Sequence, residues 1–183
     1  MGRLASGSLA RQQRQSNKSD AKCTMTLPDS IAQRIVEESL PWDQAEGFSI
    51  EAFLRCFTLH DSHWIGIHLD SAWDGDATAI ICFDPVWNNV GVAPTSMCAD
   101  WPTLLIRFPK ASTIEISDYE DIGGLQRGIA NAESELITST MAKTQIEDHY
   151  GGRISIVHNQ EVKILCYSAI GEPISLKDKV EAT

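Results

Sequence analysis

Two histidines and an aspartate lie close together in residues 59–64, whose sequence is LHDSHW. Imidazole nitrogens and carboxylate oxygens are ligands that zinc and similar ions prefer, so His60, Asp61 and His63, with a downstream aspartate, are candidate metal ligands of a hydrolase. However, two histidines three residues apart on a strand point to opposite faces of the sheet. Their rings converge only if a turn lies between them.

The same segment also suits a junction between a helix and a strand. There, His60 and Asp61 would form hydrogen bonds with backbone groups that the helix end leaves exposed. We favour this interpretation, which requires no cofactor and no metal and assigns no catalytic residue. The metal site of a hydrolase at His60, Asp61 and His63 is kept as the alternative.

Two tryptophans lie in segments that are predicted to be loops. Trp73 lies in a hairpin turn over 70–76, DSAWDGD, and Trp87 follows the turn residues Asp84-Pro85. A tryptophan inside a charged rim is typical of the anchor residues of protein interfaces. We therefore predict a partner-binding surface made of Asp70, Trp73, Asp74, Asp76 and Trp87.

Charge restricts the classes of partner. Of the 183 residues, 15 are basic and 25 acidic, and residues 1–25 hold five of the basic residues but only one acidic residue. Residues 26–183 therefore carry a net charge of −14. Such a body repels phosphate backbones and attracts a basic protein. We expect a basic protein partner, no nucleic acid and no membrane; the sequence leaves the oligomeric state open.

Residues 1–25 are rich in Gln, Ser, Arg and Lys and contain few large apolar side chains. This composition predicts a disordered basic tail, and a mis-set start with translation beginning at Met25 is an alternative explanation. No apolar stretch in this tail is long enough for a secretory signal. The five cysteines have no metal-binding spacing. Cys56, Cys82 and Cys166 have apolar neighbours and are predicted to be buried thiols of a reducing compartment, so we expect a cytoplasmic protein. A cysteine nucleophile at Cys98 would need a distant histidine such as His149 as its base.

Residues 26–183 are predicted to form a single α+β domain with an antiparallel sheet. Helical spacing predicts two N-terminal helices and one later helix, and alternation and turn signals predict the strands. Residues 63–70 and 77–83 are expected to pair as a hairpin, as are 103–108 with 113–117 and 153–158 with 161–167. Alternation along the first of these strands predicts that Ile65, Ile67 and Leu69 face the core and that His68 and Asp70 share the opposite face. The helices are expected over 31–40, 50–57 and 125–136, and an edge strand over 174–176. The short connections favour a meander over a doubly wound sheet.

Three stretches of the chain carry a resemblance to a known type of domain. They are FTLHDSHWIGI at 57–67, AIICFDPVW at 79–87, and GGRI with VKILC at 151–154 and 162–166. Together they resemble small, mostly uncharacterised bacterial domains in which an L-H-D-S segment opens a β-meander. Some similar domains are immunity proteins, which bind a cognate toxin and carry out no chemistry. The resemblance spans roughly 40–176 and implies a non-enzymatic binding function, whereas the basic tail departs from it. A structural domain without a discrete site is the third hypothesis.

Overall fold

The computed structural model of the protein describes residues 27–70, 75–88, 90, 100–117 and 127–177. The predicted disordered tail, Cys98 and two predicted contact residues, Trp73 and Asp74, lie outside these ranges. Within them, three helices and nine strands form an α+β fold. In chain order they are α1 (Asp29–Val36), β1 (Glu46–Ser49), α2 (Ile50–Cys56), β2 (His63–Leu69), β3 (Ala77–Cys82), α3 (Pro85–Asn88), β4 (Thr103–Phe108), β5 (Thr113–Ser117), β6 (Arg127–Leu136), β7 (Met141–Asp148), β8 (Arg153–Asn159) and β9 (Glu161–Tyr167).

All nine strands belong to one open antiparallel sheet with the order β1-β9-β4-β3-β2-β6-β7-β8-β5. The sheet has two halves, one made of the first five strands in this order and the other of the last four. In the described part of the chain the ladder between the halves is short and pairs His63 with Gly128 and Trp64 with Arg127. The α+β class and the antiparallel sheet agree with the sequence prediction. No helix in the described part of the chain is long and apolar enough to cross a membrane.

The main core lies between the two halves of the sheet, with α2 packed into it. α2 contributes Phe53, β4 contributes Leu104 and Ile106, and the other half contributes Ile146 and Ile156. All five side chains are almost completely buried. Burial of apolar surface shared by both halves therefore stabilises the fold far more than the two residue pairs that join them.

A second, smaller core covers the opposite face of the first half. Ile31 and Ile35, four residues apart on α1, pack with Ile80, Leu105 and Tyr167 of the sheet. β3 is buried along its whole length because both of its faces are covered.

Residues 127–136 form a strand, so the helix predicted over 125–136 is wrong. Leu125, Ile129, Ala132 and Leu136 fit a helical spacing, but β6 pairs with β7 in a long antiparallel ladder. A β-bulge between Ile129 and Asn131 shifts the register of this ladder and obscures the two-residue alternation. The third helix is instead the single turn α3.

Two predicted strand pairings are also wrong, although all four strands exist. β5 pairs with β8 rather than with β4, and β9 pairs with β4 and β1 rather than with β8. The short links after β4 and after β8 therefore carry the chain from one half of the sheet to the other. Residues 174–176 form no strand; among the described residues that follow β9, Pro173 makes an isolated bridge with Tyr167.

A β-bulge in β2 changes which of its side chains face the core. Trp64 pairs with Ile81 and Gly66 with Ile80, so Ile65 is the extra residue between them and is 37% exposed. Beyond the bulge Ile67 packs on the main core, as predicted, whereas Leu69 at the strand end is 59% exposed. The expectation that Ile65 and Leu69 are core residues is therefore wrong.

The bulge predicts different effects of the same substitution at two neighbouring isoleucines. Ile67→Ala is expected to lower the free energy of unfolding by about 2 kcal/mol, because it removes a partly buried side chain from the core. Ile65→Ala should cost less than about 0.5 kcal/mol, as is usual at exposed positions. Urea denaturation of both variants measures this difference, and equal costs would contradict the bulged register.

His158 is a fully buried histidine between the two halves of the sheet. Its Nδ1 lies 2.5 Å from the Asn159 carbonyl oxygen, its Nε2 lies 2.8 Å from the Thr144 hydroxyl, and the Phe108 ring packs against it. Burial lowers the pKa of His158, and the hydrogen bond to the Asn159 carbonyl offsets only part of this effect. The imidazole is therefore neutral at pH 7 in the folded protein.

Acid is expected to destabilise the protein through His158. Because the pKa is lower in the folded state than in the unfolded chain, stability is complete above the unfolded pKa of about 6.5 and falls as the pH drops towards the folded pKa. His158→Gln, which cannot titrate, should show a flatter fall in unfolding free energy between about pH 7 and pH 5. Identical pH profiles for the variant and the wild type would contradict this role.

Candidate functional site

Three of the five predicted contact residues are described by the structure, and these three do not lie together. Asp70 and Asp76 flank the hairpin turn at one end of β2 and β3, whereas Trp87 lies on α3, beyond the opposite end of β3. The seven residues of β2 span about 20 Å, so roughly this distance separates the two ends of the hairpin. Trp73 and Asp74 are outside the described residues, and their predicted role stays a prediction.

Asp70 and Asp76 form an ion-pair network with Arg107 instead of an open charged rim. The Arg107 guanidinium lies 2.6 Å from Asp70 and 2.7 Å from Asp76, and it stacks over the Trp42 ring. The Lys110 main-chain N–H donates to the other carboxylate oxygen of Asp76. Both carboxylates are largely shielded from solvent, so Asp70 and Asp76 are held by internal pairing at the ends of β2 and β3.

Around Asp61, by contrast, four polar and aromatic side chains meet at the surface. We call Asp61, His60, His149 and Trp87 the Asp61 cluster. The Trp87 indole N–H donates to Asp61 Oδ2 at 3.0 Å, and His60 Nδ1 lies 3.1 Å from the same oxygen. His149 Nε2 lies 3.4 Å from Oδ1. One carboxylate thus contacts two imidazoles and an indole.

The backbone fixes Asp61 in place by pairing with β6. The Asp61 N–H donates to the Ile129 carbonyl, and the Ile129 N–H donates to the Ser62 carbonyl. Asp61 has a φ of +61°, a left-handed conformation that aspartate tolerates better than most residues. The predicted junction at His60 and Asp61 is therefore a tight turn between α2 and β2, whose backbone pairs with another strand.

His149 enters the cluster because a glycine leaves room for its ring. The His149 N–H donates to the Gly128 carbonyl. A Cβ at position 128 would lie 3.0 Å from Cδ2 of the His149 ring, so a side chain there would require the ring to move by a few tenths of an ångström. Gly128 therefore leaves room for the imidazole in its present position beside Asp61.

α3 holds the main chain of Trp87 while leaving its ring in solvent. Asp84 accepts a hydrogen bond from the Val86 N–H at 2.6 Å, and its own N–H donates to the Ser62 hydroxyl. The Asn88 side-chain amide donates to the carbonyls of Thr58 and Asp84. Trp87 itself is 60% exposed. An exposed aromatic ring on a firmly hydrogen-bonded turn loses little conformational freedom when a partner binds.

The environment of Asp61 keeps its carboxylate ionised. Burial acts to raise the pKa of Asp61, but the Trp87 hydrogen bond and the nearby imidazoles of His60 and His149 outweigh this effect and lower the pKa. At neutral pH the cluster therefore presents a negative charge beside three aromatic rings. It can accept hydrogen bonds from cationic groups and orient the two imidazoles.

His63 does not join His60 at Asp61. His63 is the first residue of β2, and its ring packs against the Trp101 ring with the two centroids 5.6 Å apart. Burial lowers the pKa of His63, although the charges of Asp84 and Asp61 act in the opposite direction. The metal alternative at His60, Asp61 and His63 therefore has no support from the side-chain positions.

The one group in the described ranges with the spacing of a metal site lies elsewhere. It consists of Glu38, His68 and Asp70, whose ligand atoms all lie within 4.8 Å of one another. Glu38 was not predicted as a ligand, because it follows α1 and is far from β2 in the chain. His149 was predicted only as a base for Cys98. No local sequence pattern connects either residue to its spatial neighbours.

Comparisons of the chain with protein-family models, with curated proteins and with solved structures found no match.

Proposed function

We propose that the protein is a non-enzymatic binding module that docks a basic partner protein through the Asp61 cluster. The observation that carries this proposal is an exposed tryptophan whose indole N–H is tied to an ionised carboxylate. A large apolar ring next to a fixed charge combines the anchor and the electrostatic guide of many protein interfaces.

Other exposed apolar side chains adjoin the cluster in sequence. Val86 precedes Trp87 and Tyr150 follows His149, and both are exposed. Tryptophan and tyrosine are enriched among the residues that contribute most to binding. The cluster therefore offers several aromatic groups as well as a charge.

The charge of the whole chain supports a basic partner. The net charge of −14 over residues 26–183 creates a field that accelerates encounter with a positively charged protein and repels nucleic acid. At the cluster, Asp61 would accept hydrogen bonds from an arginine or lysine of the partner, and Trp87 would stack on its apolar or cationic groups.

An immunity-type role fits this arrangement and the resemblance of the LHDS segment to immunity domains. An immunity protein needs a fixed complementary surface rather than a catalytic set. Cys56 and Cys166 are free thiols, which accords with the proposed cytoplasmic location.

Capture of the partner tests the proposal. The immobilised protein is incubated with an extract of its own cells at low salt, and bound proteins are identified. We expect one protein of basic isoelectric point, released when about 1 M salt shortens the screening length to about 3 Å. Capture of no protein, or of an acidic protein that resists salt, would contradict the proposal and favour a structural domain without a discrete site.

A further inference from the structure

We propose that Glu38, His68 and Asp70 form a binding site for a divalent transition-metal ion, with Zn²⁺ as its probe. Each residue offers one ligand atom, and all three atoms lie within 4.8 Å of one another. One imidazole nitrogen and two carboxylate oxygens form a ligand set that suits zinc with a fourth position open to water. The site is separate from the Asp61 cluster and does not depend on the proposed partner.

The unsatisfied nitrogen of His68 is the first argument for a metal. Nε2 is inaccessible to solvent and has no hydrogen-bond partner. Glu38 Oε1, its ion-pair neighbour, lies 4.0 Å away, which is too far for a hydrogen bond. A buried polar atom without a partner costs free energy, and a metal ion bound by His68 would satisfy its Nε2.

The backbone positions of the three residues allow their side chains to converge. His68 and Asp70 are two residues apart and point to the same face of the sheet, as predicted. Glu38 reaches that face from the turn after α1. Two ligands on a tetrahedral zinc lie about 3.3 Å apart, and His68 Nε2 and Glu38 Oε1 lie 4.0 Å apart, so a shared ion requires these two atoms to approach each other by about 0.7 Å.

The charges around the site also favour a cation. The carboxylates of Asp70 and Asp76 share the guanidinium of Arg107, so two negative charges face one positive charge there. Arg107 contacts Oδ2 of Asp70, and a carboxylate has a second oxygen for a metal. Lys163, paired with Arg107 on the next strand, donates to the Trp42 carbonyl. The local excess of negative charge would be reduced by a divalent ion.

Zinc titration of the purified full chain tests the proposal. Isothermal calorimetry should show one equivalent of Zn²⁺ bound, and zinc should raise the melting temperature by linkage. His68→Gln and Glu38→Gln should each weaken zinc binding at least tenfold and remove most of the rise in melting temperature. Neither substitution touches the main or the smaller core, so both variants should fold, which circular dichroism without zinc verifies.

His60→Gln and His149→Gln are the matched controls, because each removes an exposed imidazole of the Asp61 cluster. Both should bind zinc as the wild type does. The absence of zinc binding by the wild type would overturn the proposal. Equal zinc affinity in the wild type, His68→Gln and Glu38→Gln would also overturn it, because the metal would then bind elsewhere. Loss of affinity in the control variants alone would move the site to the Asp61 cluster.

Discussion

Replacing Phe53 by alanine is expected to lower the free energy of unfolding by about 3–5 kcal/mol, the usual cost of truncating a buried phenylalanine. The Phe53 side chain has no exposed surface. Its ring stacks on Phe57 with the centroids 5.1 Å apart and lies 6.0 Å from Phe48. The substitution therefore removes aromatic contacts and leaves a cavity where α2 packs between the two halves of the sheet.

Urea denaturation measures this loss, and the slope of the transition shows whether the native state is still compact. Val36→Ala is the matched control, since Val36 lies on α1 but is 81% exposed. Its cost should stay below about 0.5 kcal/mol. A cost below about 1 kcal/mol at Phe53 would mean that α2 does not pack in the core.

Local patterns were sufficient to locate most elements of the fold. The helical spacing of apolar residues predicted α1 and α2. Alternation of apolar residues with a turn signal predicted the β2–β3 hairpin. The pairing of distant strands was not predictable in this way. β9 follows β8 directly in the chain, yet it pairs with β4 and β1 because the second half of the sheet folds over the core.

The error at β6 has a specific physical cause. A spacing of three and four residues between apolar side chains is the strongest single-sequence signal of a helix. In β6 the bulge after Ile129 shifts the two-residue period, and the whole of β7 lies beside it to complete the backbone hydrogen bonds. Tertiary pairing therefore overrides local preference, which sequence alone does not show.

The candidate site was predictable only in part. The sequence identified Asp61, His60 and Trp87 as notable residues but placed them in different hypotheses. The contact between Asp61 and Trp87 depends on the hydrogen bond from the Asp84 N–H to the Ser62 hydroxyl, and His149 comes from the residue after β7, about ninety residues later in the chain. Likewise, the pairing of Arg107 with Asp70 and Asp76 turns a predicted contact rim into an internal network.

Trp87→Ala is expected to weaken binding of the captured basic partner by about 2 kcal/mol or more, which is roughly a thirtyfold rise in the dissociation constant. The indole is the largest exposed group of the Asp61 cluster, and its loss removes both an apolar anchor and the donor that orients Asp61. Calorimetric titration of the wild type and the variant at low salt measures the change. Trp87→Phe separates the two contributions, because it keeps a ring but removes the N–H group.

The same variants must be compared for stability, because a tryptophan can also contribute to folding. Trp87→Ala should change the free energy of unfolding by less than about 1 kcal/mol, since the ring is 60% exposed and the turn is held through Asp84 and Asn88. Val36→Ala, on the opposite face of the first half of the sheet, should leave both affinity and stability unchanged. If Trp87→Ala unfolds easily and its affinity for the partner holds, the ring is structural. The acidic surface would then bind its partner elsewhere, because charge without an apolar anchor contributes mainly to the association rate.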